Sequence, residues 1–246
     1  MTRYDATCRT TRYSTPGAPY SAVPISRLIV LTAVLIVLVA SAGRAQTPAP
    51  PEPYQGVITL EVWSIEDRII HGDTPAEERL LREAQYTLSG MIYGWDFVYT
   101  PEYAARGVQR YFELTRVGEI AWGDPRLAIR DLRDRENTLY GQIDFTLSQT
   151  DLQRLHAWRS MDSERSGGIA RTPLQQGLPG KEQAIEDAIH QAIRDYLRGV
   201  TFNRPREVVG AVLLERPPRV RTVSGSYEAE VHVRIRIDEI VEYRVF

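Results

Sequence analysis

Tyr227-Glu-Ala-Glu-Val-His-Val-Arg-Ile-Arg-Ile-Asp238 is the stretch that decides the fold, because apolar and polar residues alternate through all of it. Successive side chains of a strand point to opposite faces of the sheet. The alternation therefore predicts a long antiparallel strand with one buried face and one solvated face. Ile240 breaks the phase, which predicts a bulge or bend near Asp238 and Glu239.

Two amphipathic helices are predicted to cover the buried face. Thr74-Pro-Ala-Glu77 is typical of a helix start, with the threonine at the N-cap and proline at the first helical position. Lys181 to Arg198 repeats alanine and isoleucine at i, i+4 spacing, which places both rows on one side of a helix. A third, shorter helix is expected from Asp151 to about Met161, capped by Thr150.

Further strands are predicted before and between the helices. Val57 to Ile65 and Glu207 to Leu214 are rich in β-branched residues. Residues 127–132 and 139–147 are expected to form a hairpin. Residues 162–179 contain several glycines and prolines without periodicity, which predicts a mobile surface loop.

These patterns predict an α+β fold, with a largely antiparallel sheet of five to seven strands and two main helices on one face. Residues 57–246 are expected to form this single domain. Residues 46–56 are rich in proline, which predicts an extended tether.

The segment before the tether is typical of a secretory signal peptide. Residues 28–40 form an uncharged apolar run, preceded by Arg27 and followed by small residues. We expect residues 1–45 to be the signal peptide, cleaved after Ala45 or, as the alternative, after Ala42, with Val23 a possible true start. Without cleavage the run would be a membrane anchor, the one predicted membrane contact.

Composition excludes several classes of function. Residues 1–45 hold five of the 30 basic and one of the 32 acidic residues, so residues 46–246 carry 25 basic against 31 acidic and a net charge of −6. An acidic domain argues against a nucleic-acid partner. Cys8 is the one cysteine and Lys181 the one lysine, so the exported domain would have neither disulfides nor a thiolate metal site. No pattern indicates an oligomeric state.

No catalytic, metal or cofactor motif is present, and none of these groups is expected. The sequence lacks G-x-S-x-G, G-x-G-x-x-G and a phosphate-binding loop. The histidines lie at none of the metal-ligand spacings, and solvated surface positions are expected for all of them. They are His71, His156, His190 and His232.

An aromatic run offers the one candidate ligand site. Aromatic rings around a carboxylate are typical of a sugar-binding surface; the alternative is that the alternating rings are core and the acid points away from them. The candidate residues are Tyr93, Trp95, Asp96, Tyr99 and Tyr103.

Residues 88–101, with residues 111–114 and 122–127, resemble a group of uncharacterised exported proteins from spirochaete-type bacteria. The resemblance implies export and brings no known activity or site residue.

Three functions therefore remain open. The first is a non-enzymatic envelope protein that binds another envelope protein through the 162–179 loop and the last strand, whose charged residues could alternatively pair across strands. The second is a small-ligand or glycan-binding domain. The third is a hydrolase whose catalytic residues meet only in space.

Overall fold

The computed structural model of the chain describes residues 56–201 and 204–243, so the signal-peptide prediction and nearly all of the tether lie outside the described residues. The helices are α1 (Arg68–His71), α2 (Ala76–Ile92), α3 (Gln149–Ser160) and α4 (Gly177–Val200). The strands are β1 (Val57–Ile65), β2 (Trp95–Thr100), β3 (Tyr111–Arg116), β4 (Leu127–Arg135), β5 (Thr138–Thr146), β6 (Glu164–Pro173), β7 (Glu207–Leu214), β8 (Arg219–Val223) and β9 (Ser226–Val241). Short 3-10 turns lie at Ala104–Arg106 and Leu174–Gln176.

The fold is α+β and antiparallel, as the sequence predicts, but the strands divide between two sheets. A three-stranded sheet has the order β1-β5-β4, and a six-stranded sheet has the order β3-β2-β7-β9-β6, with β8 also paired to β9. Alternation shows which face of a strand is buried and leaves its pairing partner open. For this reason the sequence predicted a single sheet, whereas the structure has two.

The long strand β9 organises the six-stranded sheet. Along one edge it pairs with β6, and along the other it pairs first with β8 and then with β7. Val209 lies opposite Glu239 and Gly210 lies opposite Ile237, so Asp238 is the extra residue. The bulge predicted from the change of phase at Ile240 is therefore confirmed.

β1 and β7 have the predicted bounds, and β4 and β5 form the predicted hairpin. The hairpin turn is tighter than expected, because Glu136 and Asn137 both have positive φ angles, of 50° and 62°. Two such residues make the turn whose twist suits a two-residue hairpin. β4 and β5 therefore extend to Arg135 and Thr138.

The predicted mobile loop at 162–179 is wrong. Residues 164–173 form β6, which pairs with β9 throughout, and α4 begins at Gly177. A Cβ on Gly168 would lie 2.0 Å from the Ala188 carbonyl oxygen of α4. The glycine that suggested a loop is needed where strand and helix backbones meet closely.

Two helix starts also differ from the prediction. The N-cap of α2 is Pro75 instead of Thr74, and it makes no side-chain cap hydrogen bond. The N-cap of α3 is Ser148 instead of Thr150, and its hydroxyl and the Asp151 carboxylate form a reciprocal capping box. For α3, Ser148 and Thr150 both fit the capping preference, so the sequence pattern alone left the first residue of the helix open.

The two main helices have different partners. α4 packs on β6 and β9, and α2 packs on β1 and β5 of one sheet and on β7 of the other. The alanine and isoleucine rows of α4 are buried, as predicted. Helix α2 therefore lies at the junction of the two sheets.

A buried ion pair joins the helices at this junction. Lys181 of α4 donates to the Glu83 carboxylate of α2 at 2.7 Å and to the Trp63 carbonyl of β1 at 2.5 Å. The ammonium also lies 3.8 Å from the centre of the Trp63 ring, a cation–π contact. Burial lowers the pKa of Lys181 and raises the pKa of Glu83, while their mutual attraction opposes both shifts.

Removing one member of this pair should cost far more stability than removing both. Lys181→Met leaves the Glu83 carboxylate buried without a counter-charge, and we expect the free energy of unfolding to fall by about 3–5 kcal/mol. The double variant Lys181→Met/Glu83→Leu should regain most of that loss. Urea unfolding followed by tryptophan fluorescence measures both, and a double variant no more stable than the single one would contradict the expectation.

Gly168→Ala should destabilise the packing of β6 on α4. The new methyl group would lie 2.0 Å from the Ala188 oxygen and 2.7 Å from the Ala192 nitrogen, and overpacking of this kind costs about 1–3 kcal/mol. Gly199→Ala, in the last turn of α4, is the control, because a Cβ there would have nothing within 4 Å. It should stabilise the domain by about 0.5–1 kcal/mol. Thermal unfolding compares them, and equal melting temperatures would refute the close approach.

Candidate functional site

The five residues of the predicted aromatic site do not converge. Trp95 and Tyr99 are buried on the helix-facing side of β2, and Asp96 is exposed on the other side. Tyr93 ends α2 and lies under the Arg154 guanidinium, 4.6 Å away. Trp95 is therefore a core residue and Asp96 points away from it, as the alternative predicts. Tyr99 and Tyr103 lie near a cavity.

This cavity, of about 530 Å³, lies between the C-terminal turns of α4 and the chain that links β2 to β3. Tyr99 lines it, as do Leu197 and Thr201 near the end of α4. Tyr103 lies beside it, with its ring 5.6 Å from the guanidinium of Arg204, which is a lining residue. The volume is in the range of small-molecule sites.

Arginine dominates the charge of this cavity. The lining holds four arginines and one carboxylate: Arg110, Arg194, Arg198, Arg204 and Glu102. The lining alone therefore has a net charge of +3, and Asp195, which pairs with two of the arginines, reduces the local sum to +2. This concentration of positive charge lies in a domain whose net charge is −6.

Arg194 carries a buried donor without an acceptor. Its Nη2 donates to the Gln191 side chain, but its Nε has no hydrogen-bond partner. The nearest carboxylate oxygen belongs to Asp195, 3.7 Å from that Nε, which is an ion-pair distance beyond hydrogen-bond reach. A buried donor of a charged group without an acceptor carries a desolvation cost.

His190 lies one turn before Arg194 on α4. Its ring stacks on Phe112 of β3 with the centroids 4.1 Å apart, and it lies 5.8 Å from the Tyr99 ring. Burial lowers its pKa, and the charges of Arg110 and Arg194 lower it further. The predicted solvated position is therefore wrong for His190.

Of the other histidines, His156 is exposed, as expected. His71 is partly buried, and burial lowers its pKa, so the prediction is wrong there too. His232 is intermediate in exposure and lies 3.4 Å from Glu230.

Two charged residues on the solvated face of β9 form pairs with neighbouring segments of the sheet. Glu228 accepts from Arg171 of β6 and from Arg221 of β8, each at 2.6 Å, and its side chain is 5% exposed. Arg234 pairs with Glu215 at 3.1 Å. These contacts match the pairing alternative for Glu228 and Arg234, whereas Arg236 pairs with Asp238 of the same strand.

Two features are absent from the part of the chain that the structure describes. In residues 56–201 and 204–243 no cluster of three or more histidine, cysteine, aspartate or glutamate side chains could hold a metal ion. Among the helices of these same ranges, none has the length and apolarity to cross a membrane.

The arginine cavity escaped prediction because its residues come from distant segments. Arg110 lies before β3, Arg194 and Arg198 lie on α4, and Arg204 follows that helix. One signal was present, since Arg110 interrupts the apolar alternation before β3. The i, i+4 spacing of Arg194 and Arg198 was another, because it places both on one helix face.

A protein-family model matches residues 45–243 of the chain. An uncharacterised protein of Treponema pallidum (strain Nichols) is 27% identical over 195 residues, which make up 79% of this chain and 79% of the relative. No solved structure matches. The resemblance to uncharacterised spirochaete proteins is thereby confirmed.

Proposed function

We propose that the domain is a non-enzymatic binding domain for an anionic small molecule. The chain belongs to the family whose model matches residues 45–243. The observation that carries the proposal is the lining of the cavity, which holds four arginines and one carboxylate. Carboxylate and phosphate oxygens are the acceptors that guanidinium groups bind best.

The arginines are held by contacts that leave donors available. Arg204 donates a hydrogen bond from its Nη1 to the Glu102 carbonyl oxygen, and the Nη2 of Arg110 lies 3.8 Å from the Glu102 carboxylate. Each guanidinium has five N–H donors, so these contacts use few of them. An anion placed between them would be bound by several charge-assisted hydrogen bonds at once.

A protein-interaction role has weaker support. The sequence predicts that surface on residues 162–179 and the last strand. Residues 164–173 form β6, and Glu228 and Arg234 of the adjacent β9 face have partners on neighbouring segments. This surface mixes both signs of charge, whereas arginines predominate in the lining of the cavity.

Export is part of the same proposal, and the mature domain would act in the periplasm or cell envelope. Its support is the apolar run at residues 28–40, with Arg27 before it and small residues after it. A cysteine-free domain folds without disulfides, and is compatible with an oxidising compartment.

Neutralising an arginine of the cavity should weaken anion binding. We expect sulfate or acetate to bind the wild-type domain, and Arg194→Gln or Arg110→Gln to lower the affinity by about ten- to a hundredfold, since a charged hydrogen bond contributes about 1.5–3 kcal/mol. Isothermal titration calorimetry at constant ionic strength measures this, because exposed charges are screened by salt.

Arg130→Gln is the matched control for these variants. Its side chain is 63% exposed on β4 of the three-stranded sheet, and the substitution should leave anion affinity unchanged. Wild-type protein that binds neither anion, or equal weakening by all of the arginine variants, would overturn the proposed site.

The export proposal predicts the mass of the mature protein. When the whole chain is expressed in a bacterium with two membranes, we expect a periplasmic product that begins at Gln46, because the peptidase cuts after a small residue beyond the apolar run. Intact-mass spectrometry of the periplasmic fraction measures it. A cytoplasmic product that retains residues 28–40 would contradict export.

A further inference from the structure

His190 is a titratable side chain next to the lining of the arginine cavity, and the proposed anion binding assigns it no role. It touches Tyr99, which lines the cavity, and it precedes Arg194 by one helical turn. Its Nε2 is buried and has no hydrogen-bond partner. The imidazole is therefore held by ring contacts, with one nitrogen left without an acceptor or donor.

We propose that His190 makes anion binding in the cavity dependent on pH: an anion between Arg110 and Arg194 favours the protonated imidazole, so that anion and proton bind cooperatively. The inference rests on the proposed function, since it concerns the same cavity. It adds that the cavity binds its anion more tightly under mildly acidic conditions.

The groups around His190 set the direction of this coupling. Arg110 precedes β3, and Arg194 lies on the same helix; both cations disfavour a charged imidazole. Asp187, also on α4, favours the charged form. Tyr99 of β2 and Phe112 of β3 contribute rings with no charge near neutrality. The two arginines therefore dominate the electrostatic contribution, and burial acts in the same direction.

An anion reverses the arginine contribution. When its charge compensates Arg110 and Arg194, the repulsion that they exert on an imidazolium is removed. The bound state then takes up a proton at a pH where the free state is neutral. By linkage, affinity is highest where His190 is protonated in both states and falls as the pH rises through its titration range.

Inorganic sulfate is the suitable probe, because it stays a dianion from pH 5.5 to 7.5 and any pH dependence then belongs to the protein. We expect its affinity, measured by calorimetry at constant ionic strength, to fall as the pH rises between these values. A pKa change of one unit on binding would set the upper limit of this fall at about tenfold. The NMR titration of the His190 imidazole should move to higher pH in saturating sulfate.

Two variants assign the effect to this residue. His190→Gln removes the titrating group and should make sulfate affinity independent of pH, whereas His156→Gln, at an exposed position on α3, should keep the wild-type dependence. If His190→Gln does not fold, the NMR titration of the wild-type imidazole decides the question by itself.

The outcomes separate this inference from the proposed function. Sulfate that binds equally at every pH, with an unchanged His190 titration, overturns the coupling and leaves the anion site standing. A pH dependence that survives in His190→Gln also overturns it. Absence of sulfate and acetate binding at any pH overturns the anion site and the coupling together.

Discussion

The contact of Lys181 with Glu83 and Trp63 is the constraint that aligns the two halves of the domain. One ammonium group joins α4, α2 and β1, so the helix of the six-stranded sheet is tied to the edge of the three-stranded sheet. A buried ion pair is weak evidence for net stability, because desolvation of both charges opposes their attraction. Its stronger effect here is geometric: the charges stay compensated only when α2, α4 and β1 keep one relative position.

That position determines where α4 ends and hence where the cavity forms. The close approach of α4 to Gly168 and the row of small alanines fix the helix on β6 and β9. Its last turns then extend toward the chain between β2 and β3. Arg194 and Arg198 reach the same space as Arg110 for this reason, although the two segments are distant in sequence.

The cavity concentrates positive charge within an acidic domain. On the solvated face of β9, by contrast, Glu228 lies between two arginines of neighbouring strands. The cavity lining with Asp195 has a local charge sum of +2, which contrasts with the compensated charge around Glu228. His190 adds a proton-binding group at the same place, which links the chemistry of the site to ambient pH.

Local patterns in the sequence determined the fold class, the strands β1, β7 and β9, the hairpin and the main helices, since alternation and i, i+4 spacing report which side of an element is buried. They also indicated the bulge at Asp238, where the phase changes. The tertiary structure decided what no local pattern contains: the division into two sheets, the strand β6 where glycines suggested a loop, and the gathering of Arg110, Arg194 and Arg204. The aromatic run, which the sequence offered as a ligand site, is mostly core, because the helices cover that face of β2. Pairing partners and convergent side chains depend on how elements pack across long sequence separations, and only the three-dimensional arrangement supplies that information.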